Sequence, residues 1–279
     1  MTRPFGEDGG VLAAAGLDLA ELEGLERGLV EGLELPAPAG GAFDAHCHLG
    51  RDADGHRLGA DELLADLDRF GLRRAVCFPL NDPGPDGQFM AANAGVLAAA
   101  RRSGGRLVPF CRVDPTGDWE PAVRRAADGG ARGLKLHPVA QRFALDAPGV
   151  AGCAREAAAR GWPVVIHAGY MARPIGGPVD ALLRAVPDVR LILAHGGRGD
   201  ARAVAAVARA SGQVMLDTSL AALPDLVELP ASRLCFGSDR PYGDHATALH
   251  LVARAAEVAG WGERELTGIM GDNLSGWLP

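Results

Sequence analysis

The sequence predicts an α/β fold, a closed (β/α)8 barrel of the TIM type with an N-terminal helical extension and a C-terminal helix. From residue 42 onward a short apolar run, a loop rich in Gly, Pro and Asp, and an Ala-rich amphipathic stretch follow one another repeatedly. The runs are apolar throughout, which is typical of parallel strands buried on both faces. Eight such units favour a closed barrel, and no G-x-G-x-x-G follows the first run to indicate a dinucleotide-binding sheet.

Each predicted strand is an apolar run that leads into a loop. The strands cover residues 43–49, 74–80, 107–113, 133–138, 163–168, 190–195, 214–218 and 234–238. Apolar residues at helical spacing predict helices at 60–70 and 201–210, and a terminal helix at 263–277.

We expect two regions, an extension at residues 1–41 and the barrel at residues 42–279. Within the extension, Leu22, Leu25, Leu29 and Leu33 recur at helical spacing and predict a helix at 17–33. The connector L-P-A-P-A-G-G follows it. This helix is expected to pack over the barrel floor or against another subunit. In the second case the protein would be a homodimer.

The composition narrows the class of partner. The net charge is -7 and the pI is near 5.6, which argues against binding nucleic acid through its phosphate backbone. No apolar stretch has the length of a membrane span, and the first residues lack the pattern of a secretory signal. The five cysteines lie singly in apolar segments, as reduced buried thiols do. We therefore expect a cytoplasmic protein with small-molecule partners and no membrane association.

The first strand carries the sequence F-D-A-H-C-H-L at residues 43–49. Side chains at every second position share one face of a strand, so His46 and His48 should point the same way and Cys47 the other. Two neutral imidazoles on one rigid face provide half of a metal site.

Other polar residues stand where the predicted strands end, which is the reaction centre of this architecture. They are Lys135 and His137 after the fourth strand, His167 after the fifth, His195 after the sixth and Asp239 after the eighth. With His46 and His48, five of the eight histidines lie at strand ends. Nitrogen and carboxylate ligands without paired cysteines suit zinc, although Mn, Fe or Co can occupy the same set.

Lys135 is the single lysine among 28 basic residues, so its position uses something that arginine cannot provide. An amine can lose its proton, act as an acid or accept a carboxyl group. Arg112, Arg173, Arg198, Arg240 and Tyr242 lie in or near strand-end loops and are candidate anion contacts, with surface ion pairs as the alternative. Asp217 either faces the site or supports it from behind.

The ordered motifs D-x-H-x-H, G-L-K-L-H-P, I-H-A-G, L-A-H-G-G, F-G-S-D-R-P and I-M-G-D-N-L resemble the amidohydrolase superfamily, most closely its amidohydrolase-related branch. The resemblance covers residues 42–279. It implies that His46, His48, His167 and Asp239 surround one divalent metal, with His195 beside the water or substrate. Lys135 would then bind a substrate carboxylate or carbonyl, and we expect His137 and Arg240 to be substrate contacts. The alternative is a two-metal site in which carboxylated Lys135 bridges one metal on His46, His48 and Asp239 and another on His167 and His195.

The implied activity is hydrolysis of an amide, lactone or ester in a small anionic molecule through a metal-activated water. Asp239 would move the proton, and His195 and Lys135 would stabilise the oxyanion. One alternative is a metal-dependent non-oxidative decarboxylase of a small carboxylic acid. Another is a barrel without catalysis that acts as a binding or scaffold protein.

Overall fold

The computed structural model describes residues 24–25, 28–33, 35–36, 38–169, 171 and 173–279. Most of the predicted helix at 17–33 lies outside the described residues, but residues 24–25 and 28–30 are helical. Val30 and Leu33 pack against the hydrophobic core. None of the described helices combines the length and hydropathy needed to cross a membrane.

The strands confirm the predicted order of apolar runs. They are β1 Ala42–Arg51, β2 Arg57–Leu58, β3 Leu72–Pro79, β4 Leu107–Pro109, β5 Cys111–Arg112, β6 Leu134–Leu136, β7 Pro163–Ile166, β8 Arg190–Leu193, β9 Val214–Asp217 and β10 Leu234–Cys235. Strand β2 pairs antiparallel with the end of β1 and stands outside the ring. β4 and β5 are one predicted strand interrupted at Phe110, so the ring has eight parallel strands.

Hydrogen bonds close this ring on itself. The sheets run in the orders β2-β1-β3-β4 and β10-β9-β8-β7-β6-β5, and they join through the interrupted strand β4/β5. On the other side, Ala45 N donates to Phe236 O at 2.8 Å and Asp239 N donates to His46 O at 2.8 Å. The first and eighth strands are therefore neighbours, which confirms the barrel.

Helices follow most strands and cover the outside of the ring. They are α1 Ala60–Arg69, α2 Met90–Arg102, α3 Glu120–Asp128, α4 Pro138–Gln141, α5 Pro148–Ala159, α6 Gly176–Ala185, α7 Ala201–Ala210, α8 Leu223–Leu226, α9 His245–Ala259, α10 Glu263–Thr267 and α11 Asn273–Ser275. Short 3-10 helices occupy Ala194–Gly197 and Ala231–Arg233.

The predicted terminal helix at 263–277 is not continuous. A π-helical segment, Gly268–Asp272, separates α10 from α11, and Gly271 within it leaves helical geometry. A Cβ atom at Gly271 would lie 2.9 Å from Pro38 Cγ and 3.1 Å from Gly41 O. The chain breaks its helix where it approaches the connector before β1, a contact that spacing within the helix does not reveal.

The core has two layers. Which side chains of a strand belong to the inner layer determines which of its later residues face the site. One layer, between strands and helices, includes Leu134 and Leu136 on either side of Lys135. The other fills the barrel interior and includes Phe110, Val165 and Met215. Because side chains alternate along a strand, the residues two positions further on also face inward. These are Arg112, His167 and Asp217.

Candidate active site

A cavity of about 310 Å³ opens at the carboxyl ends of the barrel strands. Its lining is mostly polar and comprises His46, His48, Asp54, Asn81, Arg112, Lys135, His137, Ala140, His167, His195, Leu220, Asp239 and Tyr242. Parallel strands carry these side chains to one end of the ring, which is where barrel enzymes perform their chemistry.

A β-bulge in β1 aims both imidazoles into the cavity. Asp44 pairs with Ala75 and Cys47 pairs with Cys77, so two residues of β1 stand opposite one residue of β3. Asp44 Oδ1 accepts a hydrogen bond from His46 N at 2.8 Å across this bulge. Ala45 therefore still packs in the interior layer, while His46 and His48 both face the cavity. The predicted common direction of the two histidines is found.

Asp217 supports His46 from behind. Its Oδ2 lies 2.7 Å from His46 Nδ1, and its Oδ1 accepts from His195 N at 3.0 Å and Ser219 N at 3.1 Å. A carboxylate on Nδ1 holds the proton there and leaves Nε2 of the neutral ring with a free electron pair. Burial alone would raise the pKa of Asp217, but His46 and its hydrogen bonds lower that pKa to about 2.

A different contact fixes the same tautomer in His48, with the proton on Nδ1. Its Nδ1 donates to Pro79 O at 3.4 Å, since a backbone carbonyl can only accept. Nε2 then carries an electron pair and lies 3.0 Å from Asp239 Oδ1. Burial lowers the pKa of His48 to about 3, so the ring is neutral at neutral pH.

Three electron-pair donors thus converge at one point. The group contains His46 Nε2, His48 Nε2 and an Asp239 oxygen, and all three atoms lie within 4.8 Å of one another. The distance from His46 Nε2 to Asp239 Oδ1 is 3.0 Å. With both Nδ1 atoms protonated, neither ring carries a hydrogen between its Nε2 atom and Asp239 Oδ1, so an added proton or a cation must lie there. Burial and Lys135 lower the pKa of His46, but the carboxylates of Asp217 and Asp239 outweigh them and raise it. The donor set fits a divalent metal.

His195 and His167 form a second pair beside this group. His195 Nδ1 donates to Ser219 O at 3.1 Å, which leaves Nε2 as an acceptor 3.0 Å from His167 Nδ1. Burial lowers the pKa of His195, and it lowers that of His167 to about 2. A neutral His195 therefore has an acceptor at Nε2, which the His167 Nδ1–H engages, and not the oxyanion donor expected from the sequence. His167 is not one of the three converging ligands.

Two residues of the site have left-handed backbone conformations that side chains rarely adopt. His195 has φ 61° within the 3-10 helix after β8, and Asp239 has φ 62° in the loop after β10. Such conformations cost free energy and are concentrated at functional positions. The backbone after each of these strands turns immediately, which directs the side chain over the barrel mouth.

Lys135 is fully buried on β6 and points into the cavity. Its Nζ lies 3.2 Å from His46 Nε2 and 4.6 Å from the centre of the Phe78 ring. Burial lowers the pKa of Lys135 to about 7, against the opposing attraction of Asp239 and Asp217. An amine with this pKa can donate a hydrogen bond or lose its proton near neutral pH.

The remaining candidates separate into cavity and surface positions. The His137 ring stacks on that of His167 with centroids 3.9 Å apart and lines the cavity. Arg240 does not line it; its Nη2 pairs with Asp66 of α1 at 2.6 Å, so the expected substrate contact is instead the ion pair given as the alternative. Arg173 is exposed, and Arg198 Nη1 donates to Leu220 O at 2.9 Å.

Sequence reasoning missed three contributors to this site. Asn81 lines the cavity, Ser219 accepts from His195, and the carboxylate of Asp44 fixes the bulge. Asp44 was visible in the D-x-H-x-H motif, but strand periodicity alone does not reveal a bulge. Asn81 and Ser219 stand in loops, where the sequence carries no signal of direction.

The sequence matches a protein family over nearly all of the barrel. The family is described as amidohydrolase (Amidohydro_2), and the match covers residues 43–273. No curated protein matches the chain.

Solved structures share the fold at low sequence identity. A protein described as a probable 2-pyrone-4,6-dicarboxylic acid hydrolase from Acinetobacter baumannii, with citric acid bound, is 16% identical with a TM-score of 0.61 over 85% of this chain and 98% of that one. A 5-carboxyvanillate decarboxylase from Sphingomonas paucimobilis is 14% identical, with a TM-score of 0.62 over 84% of this chain and 97% of that one. A TIM-barrel protein from Bordetella bronchiseptica is 15% identical, with a TM-score of 0.67 over 85% of this chain and 97% of that one. These structures show the shared fold, and the family match over residues 43–273 shows that the chain is an enzyme that belongs to the amidohydrolase family.

Proposed function

We propose that the protein is a metal-dependent hydrolase that cleaves an amide, lactone or ester bond in a small anionic molecule. The observation that carries the proposal is the convergence of His46 Nε2 and His48 Nε2 on Asp239 Oδ1, each at 3.0 Å. Lys135 stands beside them in a cavity of about 310 Å³, a volume suited to a small substrate.

His46, His48 and Asp239 would hold one divalent metal, for which zinc is the first candidate. His167 would complete the ligand set after a shift of its ring toward this group. When bound, the metal would supply Lewis-acid polarisation of the scissile carbonyl and a lowered pKa for a neighbouring water. The supporting groups are the Asp217 carboxylate on His46 Nδ1 and the Pro79 carbonyl on His48 Nδ1, which fix both rings.

Asp239 is the residue that moves the proton. Burial would raise the pKa of its carboxyl, but His46 and the hydrogen bonds from both histidines hold it well below the ordinary value. The carboxylate is therefore ionised, accepts the proton of the attacking water and returns it to the leaving group. This assignment is supported by the position of Asp239, which lines the cavity.

Lys135 is the donor for the oxyanion that forms on the carbonyl. Its amine is buried where it lines the cavity, and in its protonated form it would make a charged hydrogen bond, which is strong at a buried position. His195 has an acceptor at Nε2, which the shift of the His167 ring toward the metal group would release, so it would orient the attacking water or a substrate hydroxyl instead of sharing this role.

The test is product analysis with isotopically labelled water. Metal-loaded protein would be incubated with a panel of anionic lactones, amides and esters in H₂¹⁸O. We expect ring opening or bond cleavage with one ¹⁸O in the new carboxylate, and loss of turnover in Asp239→Asn. His250→Ala, a histidine distant from the cavity, is the matched control and should retain activity. Release of CO₂ from candidate acids without ¹⁸O uptake would replace hydrolysis by decarboxylation.

A further inference from the structure

Arg112 is a buried cation inside the barrel that the reaction described above does not use. It follows Phe110 by two positions on the inward face of β5 and is only 1% exposed. Its guanidinium packs on the Phe89 ring at 4.7 Å and lines the cavity. Burial lowers the pKa of Arg112 to about 10, so the group remains charged at neutral pH.

Neutral acceptors hold this guanidinium in place. Nη2 donates to Asn81 Oδ1 at 2.9 Å, Nη1 to Pro79 O at 3.3 Å and Nε to Gln141 Oε1 at 3.4 Å. Gln141 is fixed in turn, because its amide donates to Val113 O at 2.6 Å. Three of the five N–H groups of Arg112 are engaged by these contacts, which leaves two for a ligand.

No acidic side chain in the described part of the chain forms an ion pair with Arg112. Asp52 contributes a distant attraction but is itself bonded to Tyr242 and His56. A buried charge without a counter-ion is costly, so a protein retains one where a ligand supplies the opposite charge.

The guanidinium also lies close to the converging ligands. Pro79 O accepts from Arg112 Nη1 and from His48 Nδ1, so one carbonyl oxygen links the guanidinium to the His48 ring. Nε2 of that ring lies 3.0 Å from Asp239 Oδ1. A small molecule that reaches the metal group through a carbonyl can therefore reach Arg112 with its other end.

We propose that Arg112 anchors a carboxylate of the substrate that is remote from the bond that reacts. The substrate class of the proposed hydrolase is then a small acid whose free carboxylate meets Arg112 through a two-point, charge-assisted hydrogen bond. This inference rests on the proposed function for the identity of the reaction, but not for the anchoring itself.

Binding without turnover tests the anchor. Affinities of metal-loaded protein would be measured by calorimetry for two diacids and for isosteres in which a methyl ketone replaces one carboxylate: succinate with levulinate, and glutarate with its methyl-ketone isostere. We expect at least one diacid to bind about tenfold or more tightly than its isostere. In Arg112→Met the affinity for that diacid should fall about tenfold or more, and the preference should vanish. Arg112→Lys should retain part of it, because lysine keeps the charge but lacks the planar fork.

Controls separate anchoring from folding. Arg106→Met removes an arginine that pairs with Asp68 at the opposite end of the barrel and should keep the full preference. If Arg112→Met does not fold, Asn81→Ala carries the test, since it frees Nη2 and should weaken the preference. Equal or undetectable binding of diacid and isostere in the wild type, or a preference that survives Arg112→Met, would overturn the proposal. A failed hydrolysis assay with a normal diacid preference would reject the reaction and keep the anchor.

Discussion

The Nδ1 atom of His46 lies 2.7 Å from Oδ2 of Asp217, although the two residues are 171 positions apart in the chain. This contact joins the first and seventh strands of the barrel behind the cavity. It fixes the tautomer that turns the electron pair of Nε2 toward His48 and Asp239.

Removal of the Asp217 charge should weaken metal binding. We expect Asp217→Asn to lower the affinity for zinc about 10- to 100-fold, because the amide neither orients nor polarises the His46 ring as a carboxylate does. Competition with a chromophoric chelator measures this affinity. Asp200→Asn is the matched control, since Asp200 accepts from Ile175 N and Gly176 N away from the cavity. Equal zinc affinities for the two variants would exclude the role assigned to Asp217.

The Asp44 carboxylate should be essential for stability as well as for the direction of His46. It accepts from His46 N, Ser238 N, Ser238 Oγ at 2.5 Å and His245 Nε2 at 3.0 Å, all in the buried interior. We expect Asp44→Ala to lower the free energy of unfolding by about 3–5 kcal/mol, the cost of breaking a buried charged network.

Ser238→Ala removes one donor of this network and should cost about 1.5–3 kcal/mol, the range for one hydrogen bond to a charged group. Urea denaturation of both variants gives the two values. If Asp44→Ala were no less stable than Ser238→Ala, the bulge would not depend on this carboxylate.

The number of bound metal ions distinguishes the two arrangements open from the sequence. One ion on His46, His48 and Asp239 predicts one equivalent by elemental analysis and complete loss in His46→Ala. A bridge by carboxylated Lys135 predicts two equivalents and a second ion that is lost in Lys135→Met. The structure divides the imidazoles into the His46–His48 and His167–His195 groups, so His167→Ala is informative. If the protein binds one ion, His167→Ala should lower the affinity for that ion. If it binds two, the variant should contain one equivalent of metal less than the wild type.

The stability of the metal-free protein should fall as the pH decreases from 7 to 5. The folded-state pKa is about 3 for His48 and about 2 for His167, against an ordinary 6.5. Below pH 6.5 the unfolded chain therefore binds protons that the folded chain does not, which costs at most about 1.4 kcal/mol per pH unit for each histidine.

His46 acts in the opposite direction. Its raised pKa adds stability that is fully present below pH 6.5 and is lost as the pH rises through the folded value. Because more histidines of the site have lowered pKa values than raised ones, the net effect should be a lower Tm at pH 5. Scanning calorimetry of the wild type and of a His48→Asn, His167→Asn double variant tests this, since the variant should show a shallower dependence. A Tm that does not change between pH 7 and 5 would contradict the expectation.

The sequence was sufficient for the barrel and for the histidines, Lys135 and Asp239 that line the cavity at its mouth. Apolar runs buried on both faces identify parallel strands, and polar residues at their ends must meet where such strands finish. Lys135, singled out in the sequence as the one lysine of the chain, also lines the cavity.

Side-chain direction beyond the strands was not predictable in the same way. The bulge at Asp44 and the left-handed turns at His195 and Asp239 depend on contacts with distant parts of the chain. Arg240 pairs with α1 instead of the substrate because the loop after β10 turns it outward. The interruption of the terminal helix at Gly271 likewise follows from packing against residues 38–41.

The most direct test of the account is an anomalous difference map at the zinc edge, from crystals grown with zinc. The account predicts a peak about 2.0–2.2 Å from His46 Nε2, His48 Nε2 and an oxygen of Asp239. A fully loaded crystal with its peak outside the cavity, or with no peak beside these three atoms, would contradict it.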